Sequence, residues 1–158
     1  MQSGEDFYNW YVGIQNNTVE EDIKSEPIPP ISSNKHITEL TGKTYQENVI
    51  DDIDNEVLVY IWAPTCQHCT DFDPIYDKVA TRIKVKYPNI PLKLTKINAM
   101  ANDVPGIDVL GYPLYALYLK GQQNRSPVFI GEFPDDPEGV IEQMKRFPVW
   151  QNAAIEDL

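Results

Sequence analysis

Two cysteines with two residues between them are the side chains in this sequence best suited to chemistry. Cys66 and Cys69 lie in the run Ala-Pro-Thr-Cys-Gln-His-Cys and are the only cysteines among the 158 residues. So close a pair does not make the framework of a disulfide-rich secreted scaffold, which needs several bridges across long loops. The spacing instead indicates redox or metal chemistry at a single place in the chain.

A zinc site is the less favoured of these two interpretations. Such a site usually has four ligands, and His36 and His68 are the only histidines that could join the two cysteines. His68 lies between Cys66 and Cys69, where simultaneous tetrahedral ligation is awkward. We therefore predict a redox-active dithiol that uses no metal ion and no other cofactor.

The dithiol is predicted to lie where a buried strand ends and a helix begins. Residues 57–63 form an unbroken run of β-branched, aromatic and other apolar side chains. Such a run is typical of a strand buried on both faces at the centre of a sheet. Apolar residues then recur at helical spacing over residues 72–83, and Pro74 within them is expected to kink the helix.

A helix N-terminus favours ionisation of the first cysteine. The thiolate is the attacking species in disulfide exchange, and unpaired amides together with the helix dipole lower a thiol's pKa at that position. We therefore predict that Cys66 is the exposed attacking thiol and that Cys69, one turn further in, is the buried thiol that resolves mixed disulfides. His68 is predicted to stabilise the reduced, ionised form and so to make the pair more oxidising. A solvated side chain without such a role is the alternative for His68.

The rest of the chain predicts an α/β domain. Strands alternate with helices, and a hairpin and a terminal helix follow, which predicts a mixed sheet with helices on both faces. Tyr112 and Pro113 come directly before a predicted strand, where a cis bond would leave backbone polar groups open to an approaching peptide. The other expected strands begin near residue 37 and cover 92–97, 114–119 and 127–131, and the expected helices cover 43–49, 102–108 and 137–146.

Length and charge narrow the class of protein. A chain of 158 residues can bury one substantial core but not the cores of two complete domains. Its 24 acidic residues against 13 basic ones give a formal net charge of -11, which repels phosphate backbones and anionic lipid headgroups. The longest apolar run, at residues 57–63, is far shorter than the ~20 residues of a membrane-spanning helix. We therefore expect neither nucleic acid nor a membrane as partner, and the first residues do not have the pattern of a secretory signal.

Several motifs resemble the protein disulfide isomerases, and specifically the second catalytic thioredoxin-like domain of that family. Residues 57–69 are similar to the family's strand and its Ala-Pro-Trp-Cys-Gly-His-Cys motif, and residues 74–78 are similar to the kinked helix that follows. Residues 111–113, Gly-Tyr-Pro, resemble the family's cis-proline loop. Residues 24–29, Lys-Ser-Glu-Pro-Ile-Pro, resemble the linker that enters this domain. The resemblance covers nearly the whole chain to about Arg146.

The resemblance implies a thioredoxin-like fold and an enzyme that oxidises and isomerises disulfides in folding secretory proteins. It implies as partners unfolded or disulfide-bearing proteins and the remaining domains of a longer chain. Thr65, Gln67, Tyr112 and Pro113 are the residues expected to contact substrate. The implied compartment is the lumen of the endoplasmic reticulum, although the final residues, Ala-Ile-Glu-Asp-Leu, are not a Lys-Asp-Glu-Leu retrieval signal.

The same resemblance divides the chain into four parts. Residues 1–18 are expected to form a helix similar to the last helix of a preceding noncatalytic domain, and residues 19–36 a linker. Residues 37–147 are expected to form the catalytic domain. Residues 148–158 then remain as a C-terminal tail.

The chain departs from the family at positions that matter for mechanism. Thr65 replaces a usual Trp, Gln67 a Gly and Thr70 a Lys. Tyr60 occupies the place of a buried Glu that is thought to move a proton for the resolving thiol, and residues 129–136 lack the family's assisting Arg. Because burial raises a thiol's pKa, we predict a domain that exchanges disulfides but resolves mixed disulfides slowly. Simple core packing is the alternative role for Tyr60.

Two other functions remain open on the sequence alone. The domain could be a protein-binding module whose dithiol serves as a slow covalent trap or redox switch. It could also be an interaction domain with a permanent Cys66–Cys69 bond, for which a reduction potential below about -300 mV is expected. Multiple turnover on a scrambled substrate favours the enzyme, whereas a stable adduct through Cys66 favours the trap.

Overall fold

A five-stranded sheet in the order β1-β3-β2-β4-β5 organises the chain. The computed structural model describes residues 23–27, 34–123 and 125–150. The strands are β1 (Ile37–Leu40), β2 (Glu56–Trp62), β3 (Leu92–Asn98), β4 (Leu114–Tyr118) and β5 (Val128–Ile130), and the helices are α1 (Gln67–Lys86) and α2 (Pro137–Met144), with a π-helical turn at Gln46–Ile50. The predicted mixed α/β sheet is confirmed.

Strand β2 lies at the centre of the sheet, as its apolar run predicts. It pairs in parallel with β3 and antiparallel with β4, and every residue from Glu56 to Ile61 is buried. Because successive side chains of a strand point to opposite faces, Val57 and Val59 enter one core while Leu58 and Tyr60 enter the other. Both faces of the central strand are therefore covered.

The two faces of the sheet are covered by different kinds of structure. On the first, which we call the helix face, α1 and α2 pack side chains such as Tyr76 and Val140 against the strands. On the second, the loop face, the π-helical turn contributes Val49 and the loop after β3 contributes Val104. Burial of these apolar groups is the main force that holds the layers together.

The helix predicted over residues 102–108 is wrong. Turns and irregular backbone occupy these residues, and Gly106 has a φ of 78°, which a helix does not permit. Pro105 also lacks the amide that a helix interior needs. The helix predicted over residues 43–49 is replaced by the shorter π-helical turn at Gln46–Ile50. The predicted helix at 72–83 is confirmed within α1, which runs through Pro74.

The predicted chain ends lie partly outside the described residues. The helix expected at residues 1–18 and the tail from residue 151 onward lie outside them entirely, and the expected linker is described only at 23–27 and 34–36. Residues 148–150, which the sequence assigned to the tail, include Val149 and Trp150, and both are buried in the core of the helix face. No helix within the described part of the chain is both long and apolar enough to cross a membrane.

Candidate active site

The sheet brings several loops together at one edge. Strands β1, β3 and β2 are parallel, so their carboxyl ends share this edge, and the antiparallel β4 begins there. Ile61 of β2 pairs with both Ile97 of β3 and Leu114 of β4. The loop after β2, which leads to Cys66, therefore meets the loop that joins β3 to β4. Carboxyl ends of parallel strands are a common location for active sites in α/β folds.

Cys66 and Cys69 form a disulfide at the start of α1. Cys66 is the N-cap residue with extended backbone angles, and its Sγ accepts a hydrogen bond from the backbone amide of Cys69 at 3.1 Å. Cys66 is half-buried, whereas Cys69 is only 1% exposed. A thiol reagent can therefore approach Cys66, while Cys69 is shielded by the core.

The residues beside the disulfide are polar and exposed. The side chains of Thr65, Gln67 and His68 are all exposed. Thr65 donates a hydrogen bond to Sδ of Met100 at 3.5 Å, and Gln67 donates one to Asp71 at 3.0 Å. All three predicted side chains are thus exposed within two residues of Cys66 in the chain.

Tyr112 and Pro113 lie at the same edge of the sheet. The bond between them is cis, and the next residue, Leu114, pairs with Ile61 near the end of β2. Tyr112 remains 38% exposed. The topology therefore brings this loop and the disulfide to one edge, as a shared substrate surface requires.

A cluster of aromatic side chains lies beneath the disulfide. Tyr60 is fully buried and contacts Phe72 at a centroid distance of 5.3 Å and Tyr115 at 5.6 Å. The hydroxyl of Tyr60 lies 2.9 Å from the backbone oxygen of Cys69 and 3.0 Å from a carboxylate oxygen of Asp73. Burial first, and then the charge of Asp73, raises the pKa of Tyr60 well above its ordinary value of 10.0. The phenol therefore keeps its proton near neutral pH.

A charged pair continues this row of side chains across the sheet. Lys96 pairs with Tyr60 in register and lies 3.3 Å from the carboxylate of Glu39 on the outer strand β1. Burial raises the pKa of Glu39, and the neighbouring Lys96 partly offsets that rise. Each of these two largely buried charges therefore has a partner of opposite charge at the rim of the helix face.

Residues at this edge that the sequence did not single out are Met100 and Asn102. Met100 contacts Thr65, and Asn102 is a polar side chain that is only 1% exposed. No local pattern marks either residue, because their contacts join segments that are far apart in the chain. Among the described residues, no group of three or more His, Cys, Asp or Glu side chains could hold a metal ion.

A disulfide between cysteines of this spacing, at a strand-to-helix junction on a mixed five-stranded sheet, is typical of a thioredoxin-like redox domain. The family profile named Thioredoxin matches residues 36–136. That match covers more than half of the chain, which therefore belongs to the thioredoxin family. The predicted thioredoxin-like fold is confirmed.

Two relatives and one solved structure are similar to this chain. It is 39% identical over 112 residues to a protein disulfide-isomerase of Aspergillus niger, and the matched region covers 70% of this chain and 21% of that protein. It is 30% identical over 148 residues to a protein disulfide-isomerase of Ricinus communis, and the matched region covers 92% of this chain and 28% of that protein. The first thioredoxin domain of mouse protein disulfide-isomerase A4 superposes with a TM-score of 0.53 at 24% identity, over 80% of this chain and 81% of that one. The chain thus matches one thioredoxin-like domain and spans between a fifth and a third of these two full-length relatives.

Proposed function

We propose that this domain catalyses thiol–disulfide exchange, both oxidation and isomerisation, on folding secretory proteins through Cys66 and Cys69. One observation carries the proposal: the two cysteines form a disulfide in which Cys66 is accessible and Cys69 is buried. The relatives named protein disulfide-isomerase support it, because their similarity to this chain extends across the dithiol domain. The permanent-bond and covalent-trap interpretations become outcomes of the test below.

Oxidation of a substrate begins at the accessible sulfur. A substrate thiolate attacks Sγ of Cys66, a new sulfur–sulfur bond forms, and the Cys66–Cys69 bond breaks. Cys69 leaves with the electron pair as a thiolate and then takes up a proton. A second substrate thiolate attacks the substrate sulfur of the mixed disulfide, so the substrate gains a disulfide and Cys66 is released as a thiolate. The substrate loses two electrons and the domain ends as a dithiol.

Isomerisation begins from that dithiol. The Cys66 thiolate attacks a substrate disulfide and expels one substrate thiolate, which can attack elsewhere in the same substrate. Regrouping within the substrate expels the Cys66 thiolate, and the number of disulfides in the substrate is then unchanged. Attack by Cys69 on the mixed disulfide instead re-forms the Cys66–Cys69 bond and releases the substrate with that pair reduced, so the oxidation step must follow before the substrate regains the bond. The helix dipole and the unpaired amides at the start of α1 favour the thiolate that this step needs.

The exposed neighbours of Cys66 have proposed roles in binding and tuning. Thr65, Gln67 and Tyr112 offer polar and aromatic surface to an unfolded chain, and the loop before Pro113 offers backbone groups to it. His68 is proposed to stabilise the thiolate form. The natural setting we propose is the lumen of the endoplasmic reticulum, as one catalytic domain of a longer, multidomain chain.

Turnover on a scrambled protein tests the proposal. A small protein with fully oxidised, non-native disulfides is incubated with the domain in a glutathione buffer, and recovery of its native activity is followed over many turnovers. We expect Cys66→Ala to reduce the rate to that of buffer alone, because the attacking sulfur is gone. Lys78→Ala, an exposed residue on α1, is the matched control and should keep the parental rate.

Two other results would reject catalysis of this kind. A stable adduct through Cys66 with no release, seen as a mass increase on the parental protein, would identify a covalent trap. A Cys66–Cys69 bond that stays oxidised in glutathione, with a potential below about -300 mV, would identify a structural bridge. A titration of Cys66 alkylation against pH on the reduced protein supplies the thiol pKa that separates a reactive thiol from an inert one.

A further inference from the structure

A short segment that precedes the domain is fastened to the loop after β3. We call residues 23–27 the anchor segment. The backbone amide of Lys24 donates to the carboxylate of Asp103 at 2.9 Å, and the amide of Asp103 donates back to the carbonyl of Lys24 at 2.7 Å. Glu26 makes a second reciprocal pair with Asn102: its amide donates to Oδ1 at 2.8 Å, and its carboxylate accepts from Nδ2 at 2.8 Å. Four hydrogen bonds therefore join segments more than 70 residues apart in the chain.

Asn102 joins three separate parts of the fold. Its Oδ1 also accepts a hydrogen bond from the amide of Gly42, just after β1, at 3.1 Å. Its Nδ2 also donates to the carbonyl of Asn98, the last residue of β3, at 3.0 Å. The side chain thus uses two acceptor positions and two donor hydrogens, the full capacity of a primary amide. Because it is 1% exposed, losing any of these bonds leaves a buried polar group unpaired.

A series of hydrogen bonds leads from Asn98 to Thr65, the residue before Cys66. The side chain of Asn98 accepts a hydrogen bond from the amide of Met100 at 3.0 Å, and Sδ of Met100 accepts one from Thr65 at 3.5 Å. The loop that Asn102 holds runs on to Tyr112 and is partly apolar at its surface, with Met100 46% exposed and Leu110 90% exposed. An extended substrate bound at Cys66 would meet this loop.

We propose that Asn102 is a positioning residue for substrate binding, acting together with the anchor segment. It fixes the loop of residues 99–113 against the sheet, and the loop presents Met100, Leu110 and Tyr112 to a peptide beside Cys66. The anchor segment is then part of the functional domain rather than a passive connection. The inference rests on the proposed function, because it concerns the same substrates.

A glycine substitution can displace the anchor segment without altering Asn102 or either cysteine. A Cβ on Gly42 would lie 2.7 Å from the carbonyl oxygen of Lys24 and about as close to the side chains of Ile23 and Ser25, at 3.0 and 3.1 Å. Gly42→Ala must therefore push the segment away. Gly131→Ala is the matched control, because a Cβ at that position meets nothing within 4 Å.

The first measurement separates binding from chemistry. With a disulfide-bonded peptide as substrate, we expect Gly42→Ala to raise KM about fivefold, the effect of one net hydrogen bond. The kcat and the glutathione redox equilibrium should stay at the parental values, because the disulfide and the helix N-terminus are untouched. Glu26→Ala should raise KM in the same way, whereas Glu26→Gln, which keeps the acceptor oxygen, should not.

A second measurement does not depend on catalysis. Binding of an unfolded peptide to a Cys66→Ala/Cys69→Ala protein is followed by NMR titration, with and without Gly42→Ala, while hydrogen exchange of the Asp103 amide reports release of the anchor segment. Faster exchange at Asp103 with about fivefold weaker binding supports the inference. Faster exchange with unchanged binding overturns it. The parental protein can fail to turn over disulfides while Gly42→Ala still weakens peptide binding and speeds exchange at Asp103. That result would reject the proposed function and still support the positioning role of Asn102.

Discussion

At the scale of single residues, Tyr60 is the side chain that bears most directly on the predicted role of Cys69 as the resolving thiol. Its ring is packed among other aromatic side chains, and its hydroxyl donates toward Asp73 or the carbonyl of Cys69. Since burial raises its pKa far above neutrality, the phenol cannot take a proton from Cys69. In the loop where the family carries an Arg, Phe133 is instead buried against Phe72 and Tyr115. Core packing accounts for the ring of Tyr60, and none of these aromatic side chains is a base, although the carboxylate of Asp73 contacts the Tyr60 hydroxyl.

Slow release of mixed disulfides is the prediction that follows. A well-placed general base contributes about 10²-fold or more to proton transfer, so we expect Cys69 to release a Cys66-bound peptide at least ~10-fold more slowly than a protein disulfide isomerase domain that has the Glu and the Arg. Stopped-flow release from a preformed mixed disulfide measures this step. The rate at which Cys66 attacks a small disulfide is the control and should be similar in the two domains. Equal release rates would show that another group accepts the proton.

His68 supplies a second prediction at this scale. If its side chain stabilises the thiolate form, His68→Ala should make the pair more reducing, by about 30 mV for each tenfold change in the exchange equilibrium. His68→Lys places a cation at the same exposed position and should retain most of the potential. Equilibration with glutathione at several ratios gives the value for each variant. An unchanged potential in His68→Ala would identify a solvated residue without a tuning role.

At the scale of elements, sequence patterns correctly predicted those strands and helices whose structure is determined by local periodicity. The apolar run of β2 and the helical spacing of α1 are both long and regular, so the strand, the helix and the position of Cys66 between them could be predicted. The helix predicted over residues 102–108 is wrong, and the contacts of Asn102 show why: its side-chain oxygen accepts hydrogen bonds from the distant backbone amides of Glu26 and Gly42 and is not available to cap a helix at this position. The backbone at Gly106 then turns away from helical geometry.

Helix α2 offers a test of capping at the end of the chain. The side chain of Asp136 accepts a hydrogen bond from the amide of Gly139 at 2.7 Å and caps the helix. Asp136→Ala should lower the free energy of unfolding by about 1 kcal/mol, since it leaves a first-turn amide unpaired. Urea denaturation measures the change, and Asp135→Ala, on the exposed neighbour, is the matched control. An equal loss in both variants would assign the effect to the general charge of this loop instead of the cap.

At the scale of the whole molecule, buried polar groups join parts of the chain that sequence patterns treat separately. Arg125 is 4% exposed and donates hydrogen bonds to the carbonyls of Asp52, Asn55 and Leu119, among others. These bonds connect the segment before β2 with the segment after β4. The bonds from Arg125 to Asp52 and Asn55 join segments 73 and 70 residues apart, as the bonds between Asn102 and Glu26 join segments 76 residues apart. Hydrophobic periodicity carries no information about such pairs. They could not have been predicted from the sequence alone.

Glu56 is the carboxylate of this buried region and makes the stability of the fold depend on pH. It is 1% exposed at the start of β2, and its Oε1 accepts a long hydrogen bond of 3.5 Å from the amide of Val149. Burial raises its pKa above the ordinary value of 4.5, and hydrogen bonds from the backbone amides of Val149 and Lys120, followed by the charge of Arg125, offset part of that rise. The folded protein therefore holds this proton more tightly than the unfolded chain does.

The sign of the pH effect follows from that difference. A carboxyl group with a raised pKa in the folded state stabilises the fold while it is protonated, below its unfolded pKa, and this contribution is lost as pH rises through its folded pKa. The Glu56→Gln variant has no carboxyl group to ionise at this position. Compared with it, the parental protein should lose free energy of unfolding as pH rises above about 4.5. The difference in free energy of unfolding between the two proteins should become constant once Glu56 is ionised in the folded state. Urea denaturation at half-unit pH steps measures the two curves, with Gln122→Ala as a neutral, exposed control that should run parallel to the parent. Parallel curves for the parent and Glu56→Gln would mean that the two backbone hydrogen bonds and the Arg125 charge together compensate the burial of Glu56 in full.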